Sequence, residues 1–325
     1  LVSDGNRTFH ISGDEKITPS HRQIQPNHFQ ASLPKDLSIL RKPVEVVSAT
    51  FKDHGDNLWV GYRNSGFQVI SQNLIAYKKA NDNPLTKATK GMAMLCMAAV
   101  GNHLLAGTSL RVFIYDLQNR RIGQTPFRNI FDSVPAPQKI NLNNIVKYDD
   151  EHAWMVSGHQ VASCRISDEC ADVLHKSPVL KSLLGYGLKV GDALYVCSEG
   201  GKLLRFRFDN LQPDTIPIPS AYYDHETKME KLADGNILLF MQGMHLAILS
   251  PKTGKIKEMK VAGMPEYGNF DPAFAKQDSY GNVWLGTKRD GLYLIDMKKK
   301  TMGSVKVLND THIKAMVEDC KRQLW

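Results

Sequence analysis

The chain has 325 residues, and its 41 lysines and arginines exceed its 33 acidic residues, which gives a formal net charge of +8. Hydrophobic residues make up 42% and charged residues 23% of the chain, which is ordinary for a soluble globular protein. The longest apolar run, residues 92–100, is too short to cross a bilayer, so the composition excludes a membrane-spanning helix within these residues.

A short pattern recurs along the chain at intervals of 40 to 50 residues. Each copy has a turn with Gly, Asp or Asn, then an apolar stretch with a Trp or Leu at one fixed place. These anchor residues are Trp59, Leu104, Trp154, Leu194, Leu238, Trp284 and Trp325. Periods of this length built from short strands are typical of propeller blades. The sequence therefore predicts an all-β fold, a seven-bladed β-propeller with four antiparallel strands in each blade.

The two ends of the chain complement each other. Residues 1–20 resemble the outer half of a blade, whereas Trp325 begins a blade that the chain does not finish. We therefore predict one blade split between the chain ends, with residues 1–12 paired to the strand that reaches Trp325, because closure removes two open sheet edges. Truncation of a longer repeat array is the alternative. Residues 1–325 are expected to form a single propeller and to be a fragment of a longer multi-domain chain.

The strands of two units near the C-terminal end follow from alternation and from Gly-Asn and Asp-Gly turns. In the unit that opens at Gly235, one strand is predicted to follow Gly235-Asn236 and to end at Met241. The next two strands are predicted over 245–249 and 256–259. In the next unit, the predicted strands are 272–277, 283–286, 292–296 and 304–308. No segment keeps a helical period beyond two turns, so few helices are expected.

The recurring tryptophans are predicted to be structural. A residue that returns once per unit at one strand position packs between adjacent blades, where an aromatic ring buries roughly 150–250 Å². We therefore expect Trp59, Trp154 and Trp284 to occupy equivalent buried sites and to take no part in ligand stacking.

Catalytic motifs are absent from the sequence. It contains no nucleophile elbow, no His-Glu-x-x-His, no phosphate loop and no dinucleotide fingerprint. We therefore predict no catalytic residue, no metal ion and no cofactor. A propeller enzyme of the polysaccharide lyase or quinoprotein type stays open, because such enzymes draw catalytic groups from different blades. A protein-interaction scaffold is a further alternative, although no unit pairs a Gly-His opening with a Trp-Asp close.

The five cysteines, Cys96, Cys164, Cys170, Cys197 and Cys320, show no Cys-x-x-Cys pair and no metal-ligand spacing. Three of them, Cys96, Cys197 and Cys320, lie in or beside strand patterns, where cysteine behaves as a small buried hydrophobe. Cys164 and Cys170 flank a short polar segment, and a disulfide between them in an oxidising compartment stays open.

Three units are similar to the two-component regulator propeller repeat, which has a strand, an acidic turn, Gly-Asn-x-Trp-x-Gly-Thr and then Asp-Gly-Leu. The matching segments are 47–53 with 57–61, 281–287 with 290–292, and 312–319 with 324–325. The four units between them match in outline. The resemblance therefore covers most of the chain.

This resemblance implies the periplasmic region of an inner-membrane protein, the sensor part of a hybrid two-component system from glycan-degrading Gram-negative bacteria. In that family two seven-bladed propellers precede a sandwich-like domain, a membrane span and a histidine kinase that regulates transcription. The implied partners are an oligosaccharide, a second propeller and the sandwich domain of the same polypeptide, and a second copy in a homodimer of the full-length protein. The chain itself would be non-catalytic and would relay a signal to a C-terminal kinase outside it.

A ligand is expected at the loops that share one face of the ring, those between second and third strands and those between blades. Convergent loops on a rigid scaffold are where such proteins bind. Aromatic side chains there would stack on a sugar, and arginines would hold anionic groups. The candidate ligand-binding residues are Arg63, Asn64, His159, Tyr222, Tyr223, His225, Lys288 and Arg289. The alternative for each of them is an ordinary exposed loop residue.

The net charge of +8 favours an acidic ligand such as a sulfated or uronic-acid glycan. Nucleic acid is not expected, because the positive residues are spread over turns without a basic helix or an interleaved aromatic stripe. The run Lys298–Lys300 is most simply a solvated hairpin turn.

Overall fold

The computed structural model describes residues 84–133, 141–218, 225–265, 271–305, 312–319, 322 and 324, together with the backbone of six strands between residues 2 and 70. Those six strands form two three-stranded antiparallel sheets. Sheet A consists of β1 (Val2–Ser3), β2 (Thr8–Ile11) and β3 (Ile17–Pro19). Sheet B consists of β4 (Val47–Lys52), β5 (Leu58–Tyr62) and β6 (Gly66–Ile70).

Five further sheets each contain four antiparallel strands that neighbour one another in chain order. Sheet C consists of β7 (Met94–Val100), β8 (His103–Thr108), β9 (Arg111–Asp116) and β10 (Ile122–Pro126). Sheet D consists of β11 (Leu142–Lys147), β12 (His152–Ser157), β13 (Val161–Ile166) and β14 (Ala171–Lys176). Sheet E consists of β15 (Leu184–Val190), β16 (Ala193–Ser198), β17 (Lys202–Arg207) and β18 (Asp214–Pro217).

The last two sheets repeat this plan. Sheet F consists of β19 (Lys228–Lys231), β20 (Ile237–Met241), β21 (His245–Leu249) and β22 (Ile256–Glu258). Sheet G consists of β23 (Pro272–Gln277), β24 (Val283–Thr287), β25 (Leu292–Asp296) and β26 (Thr301–Ser304). The prediction of an all-β fold with four-stranded antiparallel units is confirmed for sheets C to G.

Helical structure in the described residues is limited to three short segments. The helix α1 (Pro84–Ala88) precedes sheet C, α2 (Phe127–Ile130) follows it, and a 3-10 turn (Gln242–Met244) joins β20 to β21. Within the described part of the chain, no helix has the length and apolar character needed to cross a membrane.

Successive sheets meet through their first strands. The contacts run from β4 to β7, from β7 to β11, from β11 to β15, from β15 to β19 and from β19 to β23. Each sheet then continues away from its first strand by hairpins, so the sheets are arranged as propeller blades around these first strands. Trp325 lies outside the described residues, so the pairing of residues 1–12 with its strand stays a prediction, as does the number of seven blades.

The hydrophobic core is divided between neighbouring sheets. One cluster joins Leu105 of sheet C to Met155 of sheet D, and another joins Tyr195 of sheet E to Leu239 of sheet F. All four side chains are buried. Neighbouring sheets bury apolar surface against each other, and this packing fixes their relative positions. The loops at the ends of the sheets are therefore fixed as well.

The tryptophan column has the predicted structural role. Trp59, Trp154 and Trp284 all lie in the second strand of their sheets, β5, β12 and β24. Trp154 is fully buried against Leu194 of the next sheet, and Trp284 packs against Ile313 in the segment that follows sheet G. The inter-blade packing prediction is therefore confirmed for Trp154 and Trp284.

The last strand of sheet G begins earlier than the predicted range 304–308, because the hairpin before it is tighter than expected. The Asp296 carboxylate accepts hydrogen bonds from the backbone N–H groups of Lys298 and Lys299, both at 2.9 Å. Lys300 then takes a positive φ of 55° and closes the turn, so β26 starts directly at Thr301. The prediction of 304–308 was wrong, because β26 ends at Ser304 and shares only that residue with the predicted range.

The cysteines described by the structure are free thiols. Cys96, Cys164 and Cys197 are buried, and burial raises the pKa of Cys96 and that of Cys164 to about 12. Cys170 is half-buried and also free, so the disulfide between Cys164 and Cys170 that the sequence left open is not formed here. Cys320 lies outside the described residues.

Candidate functional site

Two sets of loops lie together at one end of the sheets. The backbone N–H of Phe127, after sheet C, donates to the carbonyl of Leu110 between β8 and β9 at 3.1 Å. Lys288, between β24 and β25, likewise donates its N–H to the carbonyl of Asp271 before β23 at 2.9 Å. The loops between second and third strands therefore share one end with the connections between sheets, as predicted. We call this end the loop face.

Most first strands begin at the loop face with a β-bulge. The pairing register shifts within β4, β7, β11, β15 and β23. In β15, Leu184 lies opposite Ser198 and Gly187 lies opposite Val196, so the first strand carries one extra residue. Such bulges redirect a side chain and are common beside functional sites. In β15 the large side chain within the bulge is that of Tyr186.

The backbone around Tyr186 is fixed from both sides. A Cβ atom built on Gly185 would lie 1.9 Å from the carbonyl oxygen of His225, so only glycine fits there without a shift of the backbone. On the other side, the Asn144 amide of sheet D donates to the Gly187 carbonyl at 3.1 Å and accepts from the Gly187 N–H at 3.0 Å. The bulge is thus clamped between sheets D and F.

The Tyr186 ring lies beneath a lysine side chain. It is 48% exposed, and the Lys228 ammonium of β19 stands over it at 4.5 Å from the ring centroid. Desolvation by the surrounding protein nevertheless raises the pKa of Tyr186, with smaller raising contributions from Cys96 in β7 and from Glu226. The ring is thus accessible to solvent and lies beside a lysine of the next sheet.

An ion pair lies near the Tyr186 ring. The Lys288 ammonium contacts the Glu226 carboxylate, and the two side chains are 34% and 45% exposed. The hydrogen bond from Lys288 lowers the pKa of Glu226 most, and the charges of Lys288, Lys228 and His225 lower it further against the opposing effect of burial. Glu226 therefore stays ionised and connects sheet F to the β24–β25 loop.

Positively charged side chains also act on the segment after sheet G, at His312. Burial lowers the pKa of His312, and the nearby ammonium groups of Lys314 and Lys288 lower it further. Both charges that act on this imidazole are positive. We use the name Tyr186 basin for the set Tyr186, Glu226, Lys228, Lys288, His312 and Lys314.

The structure brings some of the sequence-predicted residues to this basin and leaves others apart. Lys288 belongs to it, His225 precedes Glu226 directly, and Arg289 is exposed in the loop beside Lys288. His159 also lies on the loop face, but it is buried and its Nδ1 lies 3.1 Å from the carbonyl of Leu180. The remaining candidates, Arg63, Asn64, Tyr222 and Tyr223, lie outside the described residues.

A polar junction between sheets C and D explains why His159 is buried. The neighbouring Gln160 donates to the Asp132 carboxylate at 2.8 Å and accepts from the Asp132 backbone N–H at 2.8 Å. Lys176 adds an ion pair to the same carboxylate at 2.9 Å. These bonds tie Asp132, just after α2, to the β12–β13 loop and to the end of β14.

Four residues of the basin, Tyr186, Glu226, Lys228 and His312, were not among the site residues predicted from the sequence. Tyr186 lies in a strand, whereas the predicted site residues were taken from loops. A signal was present, because Tyr186 stands between Gly185 and Gly187, and glycines within a strand often mark a bulge or a close approach of another backbone. The other three belong to connections or strand ends whose proximity only the fold reveals.

Comparison with solved structures places this architecture among known proteins. The extracellular domain of BT4673 from B. thetaiotaomicron, described as a hybrid two-component system, matches with a TM-score of 0.62 and 16% identity. The extracellular domain of BT3049 from the same organism, described in the same way, matches with a TM-score of 0.64 and 14% identity. Each match covers 86% of this chain and 37% of the other, so this chain spans a little over a third of their length.

An enzyme has a similar architecture. A catalytically inactive variant of virginiamycin B lyase from Staphylococcus aureus, with quinupristin, matches with a TM-score of 0.60 and 10% identity over 86% of this chain and 94% of the lyase. No protein-family model and no curated protein matches the sequence. At these identities the likeness is one of fold, and this chain shares the fold of the matched part of the BT4673 and BT3049 extracellular domains.

Proposed function

We propose that this chain is a non-catalytic periplasmic sensor domain of a hybrid two-component system. It binds an oligosaccharide and relays that event to a histidine kinase carried elsewhere in the same polypeptide. The observation that carries this proposal is the shared fold with two extracellular domains of such systems, over 86% of this chain. The repeat similarity in the sequence points the same way.

The geometry of the loop face supports a binding role. The Tyr186 basin combines an aromatic ring that is 48% exposed with charged groups on three different parts of the chain. An aromatic face with a few polar groups around it is the usual composition of a carbohydrate or small-molecule site. Because β15, β19 and the β24–β25 loop each contribute, a bound molecule would contact several blades at once.

This arrangement couples ligand binding at the basin to the packing of two neighbouring sheets. Lys288 ties the β24–β25 loop of sheet G to Glu226 before β19 of sheet F. A ligand that competes for either charge changes the link between two neighbouring sheets. Ligands act on such equilibria only through different affinities for the two arrangements, so the strength of the signal is limited by that difference.

A propeller enzyme is the second candidate, because virginiamycin B lyase shares this architecture. Such an enzyme would need a base and an acid at the same loop face, where Glu226 and His312 of the basin lie and His225 precedes Glu226. Their positions are compatible with either function, so turnover has to be measured directly.

The proposal is tested by titrating the 325-residue chain with a panel of neutral and acidic oligosaccharides in a calorimeter. The same mixtures are then analysed for cleavage products by anion-exchange chromatography. The sensor function predicts saturable binding of at least one oligosaccharide and no product. Cleavage of any oligosaccharide would replace the sensor by the enzyme, and absence of binding across the whole panel would contradict oligosaccharide sensing by this domain.

A further inference from the structure

A dense group of lysines lies at the outer edge of sheets F and G. In both sheets these lysines belong to the hairpin that joins the third strand to the fourth, or follow it directly, and all of them are exposed. They are Lys255, Lys257, Lys260, Lys298, Lys299 and Lys300. We call this set the lysine rim.

The fold brings the two halves of the lysine rim together. The Ala262 backbone N–H, two residues after Lys260, donates to the Lys300 carbonyl at 2.9 Å, and the Met302 N–H donates to the Ala262 carbonyl at 2.7 Å. Ala262 and Thr301 thus form a parallel bridge between the two sheets. Lysines that are distant in the sequence therefore lie on one continuous surface.

Few acidic side chains accompany these lysines. Residues 255–260 contain one carboxylate, Glu258, and residues 296–300 contain one, Asp296. In the part of the chain that the structure describes, Lys299 is the one lysine of the rim with an ion pair, which it forms with Asp296 at 3.2 Å. Its side chain is still 77% exposed, so this pair is weak. The lysine rim therefore presents an excess of positive charge to solvent.

The equivalent hairpins of sheets D and E carry the opposite charge. The β13–β14 turn has Asp168 and Glu169, the β17–β18 connection has Asp209, and all three residues are exposed. The outer edge is thus basic at sheets F and G and acidic at sheets D and E. Such an uneven distribution orients the chain in the field of a charged partner.

We propose that the lysine rim docks this chain on the surface of a bilayer that contains anionic phospholipids. Every positive group of the rim is a lysine, and residues 255–260 and 296–300 contain no arginine, whose planar fork would grip a single phosphate. Flexible ammonium groups suit a surface whose negative charge is spread over many headgroups. The same two segments contain no aromatic residue to stack on a base, which favours lipid over nucleic acid.

This surface is separate from the loop face. The β21–β22 and β25–β26 hairpin turns lie at the opposite end of their strands from the β20–β21 and β24–β25 loops. A bilayer that contacts these turns therefore leaves the Tyr186 basin open to a ligand. The inference goes beyond the proposed function and does not depend on oligosaccharide binding.

The test measures co-sedimentation of the 325-residue chain with vesicles. One set contains phosphatidylglycerol and phosphatidylcholine, and the other contains phosphatidylcholine alone. We expect binding to the mixed vesicles only, with an affinity that falls between low and physiological salt because the lysines are exposed. Glycerol 3-phosphate at constant ionic strength should not release the chain, because one soluble phosphate cannot engage several lysines at once. A single-stranded oligonucleotide is titrated in parallel.

Two triple variants locate the contact. The first replaces three lysines with Gln in sheet G, Lys298, Lys299 and Lys300. The second replaces three lysines with Gln in and after the hairpin of sheet F, Lys255, Lys257 and Lys260. Each lysine near an anionic bilayer contributes about fivefold to binding, so each triple variant should bind about a hundredfold more weakly. Glutamine keeps the backbone N–H groups that the Asp296 carboxylate accepts, and thermal unfolding confirms that the variants are folded.

A matched control separates the rim from the net charge of +8. It replaces three exposed lysines of other sheets and connections with Gln, Lys90, Lys181 and Lys202. This control loses the same charge and should keep vesicle binding to within about fivefold. An equal loss in the control and in the rim variants would overturn the docking surface.

Three further outcomes would also overturn it. They are equal sedimentation with both kinds of vesicle, release by glycerol 3-phosphate, and binding of the oligonucleotide without binding of the mixed vesicles. Each of these leaves the sensor function untouched, because the oligosaccharide panel is measured without lipid. Conversely, failure of that panel would leave the vesicle result standing.

Discussion

The indole Nε1 of Trp284 donates a hydrogen bond to the Asp278 carboxylate at 2.9 Å, and the same carboxylate accepts the backbone N–H groups of Tyr280 and Asn282. One acidic side chain therefore shapes the turn before β24 and holds the buried ring that packs toward the next part of the chain. In sheet D the position six residues before Trp154 is occupied by Tyr148. Its ring meets that of Trp154 edge to face at 4.9 Å, and the Trp154 Nε1 has no acceptor among the described residues.

This difference predicts how much each turn contributes to stability. Asp278→Ala should lower the free energy of unfolding by about 2–3 kcal/mol, because it leaves a buried indole N–H without its acceptor as well as opening the turn. Asp234→Ala is the matched control, since among the described residues Asp234 bonds only Asn236, in the corresponding turn of sheet F. Chemical denaturation measures the free energy of unfolding of both variants. In a Trp284→Phe background the two losses should become similar, and a persistent difference would show that the indole bond is not the cause.

The clamp on the Tyr186 bulge predicts the effect of a single methyl group. Gly185→Ala places a Cβ atom against the His225 carbonyl, where it would lie 1.9 Å away, so β15 or the segment before β19 must move. The expected cost is about 1–3 kcal/mol of unfolding free energy, as for other overpacked sites. Gly303→Ala is the control, because nothing lies within 4 Å of its Cβ position. Similar denaturation midpoints for the two variants would contradict the clamp.

The junction at Asp132 predicts a dependence of stability on pH. Hydrogen bonds from Gln160 first and Lys176 second lower the pKa of Asp132 below its ordinary value. A depressed folded-state pKa contributes stability that is present above the unfolded-state pKa, near 4, and is lost as pH falls through the folded-state value. The difference in stability between the original chain and Asp132→Asn should therefore shrink as pH falls from about 6 to about 3. A difference that stays constant over this range would show that the carboxylate charge contributes nothing.

Burial of the thiols predicts which cysteines react. Because burial raises the pKa of Cys96 and that of Cys164 to about 12, neither forms appreciable thiolate at pH 8 in the folded chain. Cys170 is half-buried and should be alkylated first among these three. Iodoacetamide treatment of the native chain, followed by peptide mass spectrometry, measures the order. Modification of Cys96 or Cys164 before Cys170, without unfolding, would contradict the described packing.

Much of the fold could be predicted because it repeats. In sheets C to G the anchor column is one buried ring or leucine in the second strand, and a feature that recurs once per unit is visible in a single sequence. Strand bounds such as 272–277 and 292–296 followed from alternation and are confirmed by β23 and β25. The start of β26 could not be predicted from alternation, since it depends on how tightly Asp296 closes the turn before it.

The candidate site was harder to predict, because its residues do not repeat. Lys288 and His225 were found by their loop positions, but the pairing of Lys288 with Glu226 joins residues 62 positions apart and exists only once the blades are packed. Tyr186 lies in a strand, where side chains alternate between packed faces, and it stands within a β-bulge that the sequence pattern did not predict. His159 satisfied the same loop criterion as Lys288, and the Gln160 junction beside it shows why that criterion is insufficient.

The most direct test of the proposed sensor site is a crystal structure of the chain with the oligosaccharide that binds most tightly in the calorimetric panel. The account predicts a sugar ring in contact with Tyr186, within about 4 Å of the aromatic carbons, and polar contacts from Lys228 or Lys288. A sugar bound elsewhere on the chain, with the ion pair between Lys288 and Glu226 and the Tyr186 ring unchanged, would contradict it.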